Sequence, residues 1–498
     1  MIYHLQKVGR ILRRKPTFVS NFHFVPFFGA TKVSNLNFRL TRPKSRLGLL
    51  LGSSLLALSA CAPQSPPISS ATRAMPLSFE LPPMKQFAAA PRLSMPALAN
   101  ADLVRDFLDL SFQLESGRPL PILSRFEGPI GVRMIGSTSA VTQRDLQQLL
   151  ARLRTEAGLP IALTQSADAR IVIESIPRAR IQSAISGAAC FVVPNVRNWA
   201  EFQRARQTGG LDWGTLRSRT TATVFIPADA PPQEIRDCLH EELAQALGPL
   251  NDLYRLENSV FNDDNIHSIL TPYDMLMLRA YYHPALSNGM SREAVARRLP
   301  AIFGQLNPAG AATSPNSGTH IDPRWKDAIS DVISSSLSYQ HRQNAAETAI
   351  RLANSSNLPQ QSRAFSYYAY GQLKMARDAG VAYGAFRAAD QLYRTTPNTA
   401  LHSAHTSVQL AAFALSAGEA ATTLRLTDAA IPVAYAHQNA AILATLMLLR
   451  AEALDLAGRA EDAAEQRLDS LGWARYGFGS DETVRRKLAE IAALNPAI

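Results

Sequence analysis

The fold is indicated most strongly by one stretch in the middle of the chain, Cys238-Leu239-His240-Glu241-Glu242-Leu243-Ala244-Gln245-Ala246-Leu247-Gly248. Its apolar residues recur at helix spacing, and Pro231-Pro232 separate it from a β-rich run at residues 221–226. Proline is favoured in the first turn of a helix, where its missing N–H is no loss. The pattern therefore predicts a helix over about residues 233–247.

Other predicted elements surround this helix. A helix begins near Asn100, which is predicted to be its N-cap. A strand covers 128–135, a helix covers 142–155, and β-rich runs fall at 159–163, 169–176 and 190–193. After the central helix, Thr271 can cap a helix with Pro272 in its first turn and Asp274 facing the amide dipoles. A last helix is predicted at 291–305. This order predicts an α+β unit over residues 100–306.

Two short motifs follow the central helix, Asn251-Asp252 and Ser259-Val260-Phe261-Asn262. With it they resemble an exported bacterial family catalogued as domain of unknown function 2927. In that family a Glu-Glu-x-x-Gln-x-Leu-Gly helix is followed by Asn-Asp and by a Ser-x-Phe-Asn turn. The resemblance covers about residues 100–306. The family in turn is similar to the zincin metallopeptidases, so the resemblance implies a degenerate zincin-like, or metzincin-like, fold.

The zincin comparison can be made residue by residue. A zincin helix carries His-Glu-x-x-His because residues four apart share one helix face and reach one zinc ion. Aligned on Leu247-Gly248, the chain has Glu241 at the first ligand position, Glu242 at the general base, Gln245 at the second ligand and Asn251 at the third. One carboxylate and two amides are poor zinc ligands and would suit, if anything, a hard cation. We therefore predict no metal and no cofactor, and Glu242 is the one candidate catalytic residue.

Alternative interpretations of this cluster remain open. A register that starts at His240-Glu241 fails because the fourth residue on is Ala244, although His267 and His283 could approach in space. A purely structural role for the cluster is favoured over a degenerate ligand cleft and over a working peptidase. In the structural interpretation, Glu242 is buried and satisfied by backbone amides or by Tyr273. The pair Asp263-Asp264 is expected to form a solvated turn rather than a calcium site.

The N-terminus has the parts of a lipoprotein leader. Arg42, Lys44 and Arg46 precede an apolar run at 47–58, which is too short to span a bilayer. The run ends in Leu58-Ser59-Ala60-Cys61, which resembles the lipobox of bacterial lipoprotein precursors. We expect residues 1–60 to be removed and Cys61 to be acylated, with an ordinary signal peptide as the alternative; residues 1–38 could reflect a misassigned start codon. Acyl chains on Cys61 would anchor the protein to a membrane.

The charge of the chain is concentrated in that leader. The net charge is +11, but residues 1–60 hold ten basic residues and no acidic one, so the chain from Cys61 onward carries only +1. A near-neutral protein has no long-range field that would attract a phosphate backbone. Nucleic acid is therefore excluded as an expected partner, and no glycine-rich phosphate loop is present.

The cysteines agree with export. If Cys61 is lipidated, Cys190 and Cys238 remain, an even number for an oxidising compartment. We expect a disulfide between them, the alternative being two buried free thiols.

The rest of the chain divides by composition. Residues 61–99 are rich in proline and are expected to form an extended tether, and 307–323 contain small and turn-forming residues typical of a linker. Residues 324–498 have a helical pattern in which Ala379-Gly380, Ala417-Gly418 and Ala457-Gly458 recur, and each pair is predicted to form the turn that ends one helix and opens the next. This spacing resembles tetratricopeptide-type repeats, with an irregular helical bundle as the alternative.

Together these observations predict a non-enzymatic cell-envelope lipoprotein that faces the periplasm, on the outer membrane rather than the inner one if the cell is Gram-negative. The helical repeats would bind a protein partner. The alternative is a membrane-tethered metallohydrolase with Glu242 as general base.

Overall fold

The computed structural model describes residues 80–88, 91, 93–315, 321–334, 336–355 and 358–497. The leader and the lipidation site, Cys61, lie outside these residues. The described chain forms an α/β unit followed by an all-helical unit.

A five-stranded sheet forms the centre of the α/β unit. Its strands are β1 (Ile130–Gly136), β2 (Ile161–Leu163), β3 (Ile171–Ile176), β4 (Phe191–Pro194) and β5 (Ala222–Pro227). They lie in the order β2-β1-β3-β5-β4, and all neighbours are parallel except β4, which runs antiparallel to β5. The expected strands are thus present, but the unit is a mixed α/β sheet rather than α+β. Every residue of β5 is buried, as expected for a strand covered on both faces.

Eight α-helices belong to the described α/β unit: α1 (Asn100–Ser111), α2 (Ala140–Glu156), α3 (Arg178–Ala184), α4 (Trp199–Ala205), α5 (Pro232–Leu247), α6 (Pro272–Tyr281), α7 (Arg292–Ala296) and α8 (Leu299–Leu306). The main hydrophobic core lies between one face of the sheet and α1, α2, α5 and α6. A smaller core under α3 and α4 covers β4 and β5 on the other face. The helix expected at 291–305 is split in two because Pro300 cannot donate a backbone hydrogen bond to the preceding turn.

The helical unit contains nine described helices: α9 (Pro323–Ile333), α10 (Tyr339–Ser355), α11 (Gln360–Lys374), α12 (Ala379–Arg394), α13 (Ala400–Ser416), α14 (Ala420–Ala436), α15 (Ala440–Leu456), α16 (Ala460–Phe478) and α17 (Asp481–Ala492). Each of α9 to α16 packs against the next helix, and α9–α11, α13–α15 and α15–α17 pack as next-but-one neighbours. The helices α13 and α15 are buried on nearly all sides. The unit is therefore a layered helical array.

The recurring Ala-Gly pairs do not all have the same structural role. Gly418 and Gly458 have φ values of 78° and 76° and end α13 and α15, a left-handed conformation that glycine adopts without steric cost. Gly380 instead lies in the first turn of α12. The N-cap of this helix is Asp378, whose side chain accepts a hydrogen bond from the Val381 amide. The predicted turn at Ala379-Gly380 is therefore wrong by a few residues.

The described part of the predicted tether is packed, not free. The Lys85 amide donates to the Gly472 carbonyl at 3.0 Å, and Arg475 donates to the Pro82 carbonyl at 2.9 Å. The buried Phe87 ring lies 4.6 Å from the ring of Trp473 on α16. Residues 80–88 thus belong to the folded structure, because Leu81 and Phe87 are buried in the hydrophobic core of the helical unit. Only the proline-rich residues before 80 keep the tether prediction, and they lie outside the described residues.

No helix in the part of the chain that the structure describes is long and apolar enough to cross a membrane.

Candidate functional site

The central helix of the sequence motif is α5, and three features fix its start, its middle and its end. Pro232 occupies its first turn, as predicted. Cys238, in the middle of the helix, forms a disulfide with Cys190 just before β4, which confirms the expected pairing. At the other end, the buried Arg219 guanidinium donates to the carbonyls of Gln245 and Ala246 at 2.7 Å and of Gly248 at 2.6 Å. A cation at a helix C-terminus satisfies carbonyls that have no partner in the helix.

Gly248 is required by close packing. Its φ is −165°, so its backbone needs no left-handed conformation. A Cβ atom added at this position would lie 3.0 Å from the Tyr281 ring of α6. A side chain here would therefore push apart two helices of the main core.

The segment between α5 and α6, residues 248–271, is here called the α5–α6 loop. Asp274 organises it: its carboxylate accepts hydrogen bonds from Ser259 Oγ at 2.5 Å, the Thr271 amide at 2.7 Å and the Val260 amide at 3.2 Å. Thr271 and Asp274 also form the predicted capping box. Burial nevertheless raises the pKa of Asp274 to about 6. The Ser-x-Phe-Asn motif thus has a structural role in shaping this loop.

The three positions that the sequence alignment placed at zinc ligands, Glu241, Gln245 and Asn251, differ in their surroundings. Glu241 is partly exposed to a cavity described below. Gln245 is buried, and its amide nitrogen has no hydrogen-bond partner among the described residues. Asn251 donates to the Asp109 carbonyl on α1 at 2.9 Å. No described group of three or more His, Cys, Asp or Glu residues is arranged to hold a metal ion.

The neighbouring His240 and Glu242 are core residues. Each is 2% exposed. The His240 Nδ1 atom accepts a hydrogen bond from the Leu270 amide at 3.0 Å, and burial, assisted by Arg236 and Arg152, holds the pKa of His240 well below its usual range. Its imidazole is therefore neutral and used structurally. The Tyr273 hydroxyl, considered above as a partner for Glu242, lies 3.4 Å from Asp106.

The helical unit packs directly over α5. Its helix α16 contacts α5, and the Tyr476 hydroxyl donates to Asp145 of α2 at 2.7 Å. Gln233 of α5 accepts the Ala440 amide at 2.9 Å through Oε1, and Arg236 donates to Gln438. These contacts bury the outer face of the motif helix under α15 and α16.

A cavity of about 70 Å³ remains between α5, the α5–α6 loop and the helical unit. Its polar lining includes Gln233, Asp237, Glu241, His267, His405 and Lys487. Burial raises the pKa of Asp237 well above its usual range, while burial lowers that of Lys487 despite its 2.8 Å ion pair with Glu490. The lining of the cavity thus favours the neutral forms of its side chains. A catalytic metal site would instead have to stabilise a charged nucleophile.

The boundary between the two units also holds residues that the sequence did not single out, His402, His405 and His437. His402 Nε2 lies 2.9 Å from Asp264 Oδ2, and Asp264 is only 3% exposed. The expected solvated turn at Asp263-Asp264 is therefore wrong: Asp264 pairs across the boundary, and Asp263 forms an ion pair with Lys326 of α9 at 2.8 Å. The one sequence signal was that His402 and His405 lie three residues apart, and so on one face of a predicted helix.

These features define the class of protein: a mixed α/β unit whose motif helix is covered by a following helical array. Residues 100–301 match the model of a family described as a protein of unknown function, DUF2927. The match confirms the resemblance drawn from the sequence for that part of the chain. Neither the curated proteins nor the solved structures gave a match.

Proposed function

We propose that the protein is a non-catalytic lipoprotein of the bacterial cell envelope, anchored through Cys61 and facing the periplasm. In this proposal the α/β unit is a degenerate zincin-like platform, and the helical unit, which we take to be tetratricopeptide-like, binds a protein partner. The single observation that carries the non-catalytic role is the covering of α5 by the helical unit. A hydrolase needs its general base beside an open cleft, whereas Glu242 is buried and the helix face bearing Glu241 meets only a cavity of about 70 Å³ beneath the helical unit.

The rest of the site supports the same proposal. Of the three positions aligned with zinc ligands, Gln245 is buried and the Asn251 amide donates to the Asp109 carbonyl, and one carboxylate with two amides is a poor ligand set for zinc. The Cys190–Cys238 disulfide suits an oxidising compartment such as the periplasm. These observations favour a scaffold over the metallohydrolase alternative, in which Glu242 would act as general base.

The partner surface cannot be the inner layer of the helical array, because that layer already packs on the α/β unit. Tyr254 and Ile266 of the α5–α6 loop belong to the same hydrophobic core as α11, α13 and α15. A groove of about 630 Å³ between α10, α11 and α12 is open instead, and it is lined by Tyr367, Tyr370 and Val381 among others. Aromatic side chains of this kind commonly dominate the affinity of protein interfaces.

We therefore expect a photo-crosslinking residue at Val381, which is 39% exposed, to capture a protein in intact cells of the native host. The same residue at Leu468, 59% exposed on α16, is the matched control and should capture nothing in common with it. Tyr370→Ala should reduce the product at position 381 roughly fivefold or more, the usual effect of truncating an aromatic anchor. Identical products at both positions, unaffected by Tyr370→Ala, would count against a specific partner in this groove.

A further inference from the structure

The groove between α10, α11 and α12 contains a glycine that the fold itself does not require. Gly384, in the middle of α12, is exposed and lines the groove beside Ala385. Among the described residues, a Cβ atom added at Gly384 would meet nothing within 4 Å outside the backbone of its own helix. Glycine weakens an exposed helix relative to alanine, so its presence here has a cost. The groove therefore keeps open space that packing inside the chain does not explain.

The walls of the groove offer aromatic and aliphatic surface. Ile350 of α10 and the half-buried side chains of Tyr367 and Tyr370 of α11 line it. On α12, Val381 is 39% exposed and the nearby Tyr383 is 41% exposed. Large apolar side chains that lie exposed next to one another mark a surface for another molecule.

The length of the groove suits a short piece of polypeptide. Along α10 it extends from Glu347 to Ser355. The eight residues between these ends correspond to about 12 Å of helix, the length of two helical turns or of three to four extended residues. Sites for small molecules enclose most of their ligand, whereas this groove is open along its side. It therefore fits a protein segment laid across the three helices.

The helices around the groove carry an excess of positive charge. Residues 339–394, which span α10 to α12, contain seven Lys and Arg residues and three Asp and Glu residues, a net charge of +4. The chain from Cys61 onward carries only +1, so its remaining part is net negative. This uneven distribution gives the groove a local positive potential although the protein is nearly neutral.

Three of these cations lie at the groove and form what we call the basic rim: Arg351, Lys374 and Arg387. Arg351 is exposed and lines the groove. The Lys374 ammonium lies 5.4 Å from the ring centroid of Tyr370, and the Arg387 guanidinium lies 5.8 Å from that of Tyr383. These rings are neutral, so the contacts do not cancel the positive charge.

A single acidic residue, Glu347, is among the side chains that line the groove. It is exposed, and it accepts a hydrogen bond from Gln343 at 3.0 Å. It reduces the positive charge of the basic rim without balancing its three cations.

We propose that this groove binds an acidic segment of a partner protein, whose apolar side chains enter the groove while its carboxylates face the basic rim. Apolar anchors supply most of the affinity of such contacts, and complementary charge at the rim supplies specificity and speed of association. The inference rests on the proposed function, because it assumes that the groove has a protein partner, and it adds the chemical class of that partner.

Selection from a random peptide library for binding to the chain from residue 62 onward tests this class. The selected peptides should contain more Asp and Glu than the unselected library, together with apolar residues. Gly384→Leu, which places a side chain in the groove, should weaken their binding roughly tenfold or more without lowering the melting temperature. Gly304→Leu is the matched control, because Gly304 is also exposed on a helix with open space around it. It should bind the peptides as the unchanged chain does.

A triple variant tests the basic rim. It changes each cation to glutamine, which keeps the helix propensity: Arg351→Gln/Lys374→Gln/Arg387→Gln. It should weaken binding of the selected peptides roughly tenfold in about 50 mM salt, because each of three exposed charge pairs contributes a few-fold. The difference should largely vanish in about 1 M salt, where exposed charges are screened.

The matched control removes the same number of exposed charges outside the groove: Arg425→Gln/Arg459→Gln/Arg486→Gln. It should leave binding of the selected peptides unchanged at both salt concentrations.

The proposal is overturned if the selected peptides show no excess of Asp and Glu, or if Gly384→Leu binds them as the unchanged chain does. It is also overturned if the groove instead binds vesicles of phosphatidylglycerol and phosphatidylcholine in equal parts, with Gly384→Leu abolishing that binding. Crosslinking at Val381 separates this inference from the proposed function. A product that Tyr370→Ala removes but the triple variant of the basic rim keeps would retain the partner and refute its acidic character. The absence of any product would refute the proposed function itself.

Discussion

Replacing Arg219 by alanine is expected to lower the free energy of unfolding by about 3–5 kcal/mol. Arg219 is 3% exposed, its guanidinium donates to three carbonyls at the C-terminus of α5, and that group lies 4.8 Å from the ring centroid of Trp213. Alanine would leave those carbonyls buried without their donor. Urea unfolding at neutral pH measures the difference.

Two further variants make this test specific. Arg217→Ala removes an exposed arginine two residues away, and it should change the free energy of unfolding by less than about 0.5 kcal/mol. Arg219→Lys keeps the charge but loses the forked donor geometry, so it should fall between the two. A loss below about 1 kcal/mol for Arg219→Ala would mean that the end of α5 is held by other contacts.

Removing the disulfide is expected to cost about 4 kcal/mol. Cys190 and Cys238 are 48 residues apart in sequence, so their bond restricts a long loop of the unfolded chain. It also joins the edge strand β4 to α5, the helix on which the site depends. The double variant Cys190→Ala/Cys238→Ala avoids a buried hydroxyl, and its unfolding should be compared with that of the unchanged chain under oxidising conditions.

The matched control is the unchanged chain in a reducing agent. Reduction should lower its midpoint of unfolding towards that of the double variant and leave the variant itself unaffected. Equal midpoints for the oxidised chain and the variant would show that the bond contributes nothing to stability.

Much of the α/β unit could be predicted from local sequence signals. The capping box at Thr271 and Asp274 and the proline start of α5 depend on neighbouring residues, so the predicted ends of these helices hold. The N-cap at Asn100 was off by one residue: Ala99 occupies that position, and the Asn100 side chain accepts from Asn307 instead. The helices α3 and α4 were missed because each is only seven residues long, too short for a clear periodicity.

The environment of the site could not be predicted, because it depends on contacts between residues far apart in sequence. Asp264 looked like a solvated residue until His402, 138 positions away, was placed against it. In the same way, the apolar residues of 80–88 gained a role only once α16 supplied a surface for Phe87. The alignment of α5 with a zincin motif stays a prediction. Only the fold shows that the helical unit covers the face that bears Glu241.

The covering of this helix is the central claim, and the metal content of the protein tests it most directly. The chain from residue 62 onward should be exported to an oxidising compartment, purified without chelators and subjected to elemental analysis. We predict no stoichiometric metal, because Asn251 is engaged with the Asp109 carbonyl and one carboxylate with two amides is a poor ligand set for zinc. About one zinc per chain, together with an activity that chelators and Glu242→Gln both abolish, would contradict the proposal and establish a working metallohydrolase.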